Sequence, residues 1–95
     1  MTMFDPAHPS LFIKEELEAT GATIAKAALA LKITRSQLHR IVKGQSAITI
    51  DFALKFEAVF GFKAEMLIKL QTAYDFSLAR KSDDIKLTAW QSKVA

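Results

Sequence analysis

An all-α fold of five helices is the class this sequence predicts, and three observations carry that expectation. Apolar side chains recur at three- and four-residue spacing along most of the chain, as in Ile13 and Leu17 or Phe52, Phe56 and Phe60. Threonines stand directly before several of those runs, at Thr23, Thr34 and Thr49, where an N-cap belongs. The three glycines, Gly21, Gly44 and Gly61, each fall where a run stops.

Residues 1–8 read as a flexible N-terminal arm, after which Pro9 supplies the fixed φ that suits a first helical turn. A first helix is expected from about Pro9 to Ala19, with Ile13 and Leu17 on one face and Lys14, Glu15 and Glu18 on others, stopped by Gly21. A second, rich in alanine and so strongly helical, runs from Ile24 to Leu31 behind the Thr23 cap. Lys32-Ile33 forms a turn, and Thr34 opens a third helix from Arg35 to about Lys43, closed by Gly44. A fourth spans Ile50 to Phe60, its phenyl rings repeating every four residues, with Leu54 and Ala58 as a second row. The fifth is expected from about Ala64 to Arg80, with Met66, Leu70, Ala73 and Tyr74 on one stripe and Ser82-Asp83-Asp84 as its break. In the tail, Ile85 and Leu87 alternate as in a strand, whereas Leu87 to Val94 also suits a short helix. The organisation is therefore an arm (1–8), a helical domain (9–81) and a C-terminal tail (82–95) with a part in dimerisation.

Ninety-five residues, half of them apolar, support one domain with a modest core, for which dimerisation is a natural reinforcement. The lack of cysteine excludes a disulfide framework and a Cys-based zinc site. No apolar run is long enough to span a bilayer, and Met1-Thr2-Met3-Phe4-Asp5 lacks the basic-then-apolar layout of a signal peptide. A cytoplasmic protein with no membrane partner is expected.

Charge is distributed unevenly. From Ala19 to Ile50 every charged side chain is positive: Lys26, Lys32, Arg35, Arg40 and Lys43. The rest of the chain carries eight basic and ten acidic residues, so the net charge of +3 is concentrated in this window. A basic field confined to one short stretch is the footprint of a phosphate-backbone partner.

The same window has the spacing of a helix–turn–helix. Two steeply crossing helices need a small residue at their closest approach, which Ala28 supplies, and apolar contacts to lock them, which Leu31, Ile33, Leu38 and Ile41 supply. The third helix then presents Arg35, Ser36, Gln37, His39 and Arg40 as candidate base contacts in a major groove. Gln37 suits adenine, Arg35 or Arg40 suits guanine, and Ser36 is permissive. Thr23, Lys26, Lys32, Thr34 and Lys43, with the amides opening the second and fourth helices, are candidate phosphate contacts. Lys32 stands where a tight turn ordinarily carries glycine, at a cost of about 1 kcal/mol if it is left-handed.

Several blocks are similar to those of a known family. They are His8-Pro9 with Ile13-Lys14-Glu15-Glu16-Leu17, the helix Thr34-Arg35-Ser36-Gln37-Leu38-His39-Arg40-Ile41, and the loop Gly44-Gln45-Ser46-Ala47-Ile48-Thr49. Ala53-Leu54-Lys55-Phe56 and Leu70-Gln71-Thr72-Ala73-Tyr74-Asp75 follow. From His8 to about Arg80 the chain resembles antitoxins of the HigA type, within the phage-repressor-like (XRE) helix–turn–helix proteins. The resemblance implies a lambda-repressor-like DNA-binding fold. Leu67 departs from a common tryptophan, Phe62-Lys63 from a capping Thr/Ser pair, and Leu11 from an acidic residue. Without its cap the fifth helix loses about 1 kcal/mol at its start, and an exposed Phe62 would be free to join an interface.

The resemblance further implies two partners. One is a cognate HigB-like toxin of the RelE superfamily, an mRNA-cleaving protein that relatives neutralise. The other is a palindromic operator in double-stranded DNA, bound by a homodimer that represses its own operon. The fifth helix has more apolar positions than one small domain can bury, which agrees with a symmetric contact through Leu67, Leu70, Tyr74 and Trp90. Two recognition helices would then meet half-sites about 34–36 Å apart. A basic toxin would be complemented by Glu15, Glu16 and Glu18 of the first helix or by Asp83-Asp84. The competing readings are a stand-alone XRE-type regulator without a toxin, and a partner-binding protein whose helix–turn–helix is vestigial.

Catalysis finds no support in the sequence. His8 and His39 are the only histidines, and neither has metal-ligand spacing to a carboxylate. His8 is expected to cap or pack at the start of the first helix, and no phosphate-cradling glycine loop or cofactor motif is present.

Overall fold

The structure, a computed structural model, describes residues 7–82 and 86–90. Five helices follow one another: α1 (Ser10–Thr20), α2 (Ile24–Leu31), α3 (Arg35–Val42), α4 (Ile50–Phe60) and α5 (Ala64–Ser82). The described residues contain no strand, and none of their helices is long and apolar enough to cross a membrane. Contacts run between α2 and α3, α1 and α3, α2 and α4, and α4 and α5. The helix–turn–helix is thereby held between α1, which meets α3, and α4, which meets α2, and α5 packs on α4.

Local chemistry explains where each helix begins. Thr23, Thr34 and Thr49 are extended N-caps whose hydroxyls accept hydrogen bonds from Lys26 N, Gln37 N and Phe52 N. At α1 the cap position is Pro9, and the job passes to His8, whose Nδ1 accepts from Ser10 N at 3.0 Å. Phe62-Lys63 brings no capping hydroxyl to α5. Phe62 instead anchors the turn by packing on the core, with its ring 6.4 Å from Phe56 and 6.3 Å from Phe12. The expectation of an exposed Phe62 available to a partner is therefore corrected.

The core gathers Ile13 and Leu17 of α1, Ala27, Ala28 and Leu31 of α2, and Leu38 and Ile41 of α3. Ile48, Phe52, Ala53 and Phe56 join them from the loop and α4, and Ala64 and Leu67 from α5. Ala28 is buried at the helix–turn–helix crossing, as its size requires. Phe56 stacks on Phe52 and Phe60 at 5.8 and 4.7 Å, so the fourfold aromatic spacing is the spine of the core.

Two expectations for α5 need correction. The face it buries is Ala64, Leu67 and Gln71, with Ile68 packed beside them, while Met66 and Ala73 are exposed and Leu70 and Tyr74 half-buried. Leu67 is wholly buried within the protomer, so it cannot be a dimer contact. The reason is Gln71. Hydropathy alone assigns a glutamine to the outside, but this one lies inside with both ends of its amide bonded, which rotates the buried stripe. The helix runs two residues beyond Arg80 and ends at Ser82, the first residue of the expected break, whose hydroxyl donates to Ala79 O at 2.7 Å. Residues 86–90 form no regular structure, and the readings that fell on 83–85 and 91–95 lie outside the described residues.

Candidate nucleic-acid interface

The turn between α2 and α3 determines how the third helix is displayed. Lys32 closes α2 at φ 58°, ψ 44°, the only described non-glycine residue with positive φ. Its N–H bonds back to Leu29 O, and the N–H of Ile33 to Ala28 O. The turn geometry thus survives without glycine, at a strain of about 1 kcal/mol. Lys32→Gly should therefore raise the melting temperature by about 4 °C, the shift expected for somewhat under 1 kcal/mol in a domain this size. The same variant should lose affinity for DNA, because the lysine cation goes with the strain. Thermal melting and a DNA titration on the one variant check the two opposite signs.

α3 starts from a capping box. Thr34 Oγ1 accepts from Gln37 N at 3.0 Å, and Gln37 Oε1 accepts from Thr34 N at 2.9 Å. Gln37 accordingly has a structural role that reduces its freedom as a reader, since bidentate pairing with adenine uses the same oxygen. Arg35, Ser36, His39 and Arg40 are all exposed. They divide over two open grooves of about 420 Å³ each. Arg35, Ser36 and His39 line one with Ile24, whereas Gln37 and Arg40 line the other with Lys32, Ser46 and Thr49. α3 is thus a ridge between two channels. Its eight residues rise about 12 Å, and a helix with its side chains is about 10–12 Å across, the width of a major groove.

The candidate phosphate contacts lie on α2 and at the caps of α2 and α3. Lys26, Lys32, Thr34, Lys43 and Thr23 are exposed, and Lys43 ends α3. Each capping threonine accepts from a backbone amide, which leaves its own hydroxyl hydrogen to donate to a phosphate oxygen. Sequence reasoning missed two further residues on the groove, Ser46 and Lys55. Lys55 lies there one turn after Asp51, paired with it at 3.2 Å. Its signal was available in the (i, i+4) spacing behind the Thr49 cap. Among the described residues no group of three His, Asp or Glu side chains is arranged to hold a metal.

The remaining candidates are dispersed. Glu15 and Glu18 are exposed and Glu16 half-buried on α1. Tyr74 meets the His8 ring edge-on at 4.6 Å, and Trp90 is 94% exposed. Beyond Gln71, α5 buries none of its residues. Phe76 and Leu78 are exposed there, and Arg80 lies over the Phe76 ring at 5.4 Å.

Comparison with known proteins agrees with this geometry. A helix-turn-helix family model matches residues 13–67. Virulence-associated protein A' of Dichelobacter nodosus is 35% identical over 91 residues, covering 94% of this chain and 79% of its own length. An addiction module antidote protein of the HigA family from Coxiella burnetii superposes with a TM-score of 0.76 at 28% identity, over 90% of this chain and all of that one. The Pseudomonas aeruginosa antitoxin HigA, in a structure with the higBA promoter, gives 0.77 at 28% identity over 82% of this chain and 86% of that one. A basic ridge on a capped two-helix unit and these likenesses lead to one assignment: the chain belongs to the helix–turn–helix family, XRE type, and shares its fold with the HigA antitoxins.

Proposed function

We propose that this protein is an antitoxin that represses its own operon. As a homodimer in the cytoplasm it binds a palindromic operator through α3, and it neutralises a HigB-like toxin of the RelE superfamily. The observation that carries the DNA half is the α3 ridge. Its exposed face holds Arg35, Ser36, Gln37, His39 and Arg40, and no acidic residue interrupts the chain from Ala19 to Ile50. The promoter in the Pseudomonas neighbour supports the same reading. For the dimer, support comes from the far part of α5. Along this helix Ile68, Thr72, Ala73 and Phe76, with Glu65 and Lys69, line a shallow groove of about 520 Å³, with Leu70 and Tyr74 half-buried and Trp90 in solvent. The toxin half rests on the antitoxin neighbours, with exposed acidic side chains of α1, Glu15 and Glu18 beside Glu16, as the complementary surface for a basic partner.

The deciding experiment titrates the purified protein with the DNA upstream of its own gene and with scrambled DNA over a salt series. Tight, selective binding with a steep salt slope is expected. Weak, unselective binding would make the helix–turn–helix vestigial and leave partner binding as the function. Selective binding with no toxin gene beside it would indicate a stand-alone regulator. Within that titration, Lys43→Ala should weaken operator and scrambled DNA alike and reduce the salt slope by about one unit, as loss of a phosphate clamp does.

A further inference from the structure

Within the block Gln71-Thr72-Ala73-Tyr74-Asp75, Gln71 and Asp75 have no part in the function so far described, yet they hold the segment that follows the recognition helix. That segment, Gly44–Ile48, carries the chain from α3 to the Thr49 cap of α4. At its far end the buried Ile48 donates its N–H to Gln71 Oε1 at 2.8 Å, a bond spanning 23 positions. Gln71 Nε2 in turn donates to Asp75 Oδ1 at 3.0 Å. At its near end Gly44, at φ 75°, lies against the start of α1. A Cβ there would stand 3.5 Å from Ser10 Oγ and 3.8 Å from the His8 ring. That ring is met edge-on by Tyr74. Gln71, Tyr74 and Asp75 are spaced i, i+3, i+4, so they share one side of α5.

We propose that Gln71 and Asp75 are positioning residues for DNA recognition, clamping the far end of the α3–α4 segment to α5, while its near end rests on Ser10 and the His8 ring that Tyr74 meets. The proposal rests on the DNA-binding reading above. The chemistry leaves Gln71 a single orientation. A backbone N–H only donates and an ionised carboxylate only accepts, so the amide oxygen must face Ile48 and its nitrogen Asp75. Turning the amide over would set donor against donor and acceptor against acceptor. Asp75 therefore keeps the Gln71 oxygen in place for Ile48. Without that oxygen the Ile48 N–H is buried and unpaired, and the segment must move to find another partner. The next residue is Thr49, which lines the groove with Arg40, so any such shift alters the spacing between base readers and phosphate holders. Contacts to base edges tolerate little displacement, whereas contacts to the uniform backbone tolerate more. The expected consequence is a loss of selectivity ahead of a loss of binding.

The test uses the full chain, the DNA upstream of its own gene, and scrambled DNA at one salt concentration, with amide hydrogen exchange at Ile48 and thermal melting as independent readouts. Asp75 is exposed, so its variants should fold even if Gln71→Ala does not. Asp75→Ala should speed exchange at Ile48 and weaken operator binding about fivefold, with scrambled DNA little changed; Gln71→Ala should do the same by about tenfold, as expected for one buried hydrogen bond. Asp75→Asn removes the same charge but keeps an acceptor oxygen, so it should restore the wild-type values. If Ile48 loses protection while operator affinity holds, the positioning role is overturned. It is equally overturned if both DNAs weaken together, or if Asp75→Asn behaves like Asp75→Ala. A wild-type protein that does not prefer the operator would overturn the DNA reading and this role with it. A wild type that prefers it, with variants to match, would overturn the positioning role alone.

Discussion

Arg40→Ala should lower operator affinity by about 1–3 kcal/mol, roughly five- to 150-fold, and relax the base preference at one position of each half-site. Arg40 stands on the side of α3 that shares a groove with Lys32, Gln37 and Thr49. It is exposed, in the last turn of α3. An arginine so placed can offer its planar fork to guanine O6 and N7, a contact that a wrong base does not reproduce. Titrating a set of operators substituted one base pair at a time checks the expectation. The signature is a column of substitutions that hurts the wild type and leaves the variant indifferent. If Arg40→Ala and Lys43→Ala reduce all sequences equally, Arg40 holds phosphate and the reader lies elsewhere on the ridge.

The other large effect is on stability. Leu67→Ala should destabilise the fold by about 2–5 kcal/mol, because the side chain is fully buried and its loss leaves a cavity where α5 packs on the core. For a domain of this size that corresponds to a fall in melting temperature of at least about 8 °C. The concentration dependence makes the test specific. A leucine inside the protomer contributes the same amount at every protein concentration, whereas a leucine in a dimer seam shifts a midpoint that moves with concentration. Leu67→Ala and wild type should therefore show parallel dependence, displaced by a constant.

Helix ends were legible wherever one residue type has one local job. Thr23 and Thr34 open α2 and α3, and Thr49 with Gly61 brackets α4; each works through bonds within three or four positions. Lys32 could also be read as a left-handed residue, because a turn that short leaves few alternatives. The outward set on α3 followed from the helical period once Leu38 and Ile41 were assigned inside. What could not be read was decided at long range. Gln71 is buried because an amide 23 positions earlier needs an acceptor, and no periodicity in α5 announces that. Its burial turned the helix, which moved Leu67 into the core and left Met66 outside. Phe62 was misplaced for a related reason, since its partners Phe12 and Phe56 come from two other helices. The individual roles of the DNA-facing side chains were not legible, because a solvated basic helix and a reading helix share one pattern of charge and period.

Trp90 is the chain's single tryptophan, and it sits in solvent at the edge of the described tail. Its indole emission is therefore an optical report on that tail, with the folded body contributing almost nothing at excitation selective for tryptophan. Unfolding by denaturant should scarcely move the emission of a protomer whose Trp90 is already in solvent. Covering the tail, by a second copy or by another protein, should shift it to the blue. One cuvette can then separate melting of the domain, followed by circular dichroism, from capture of its end.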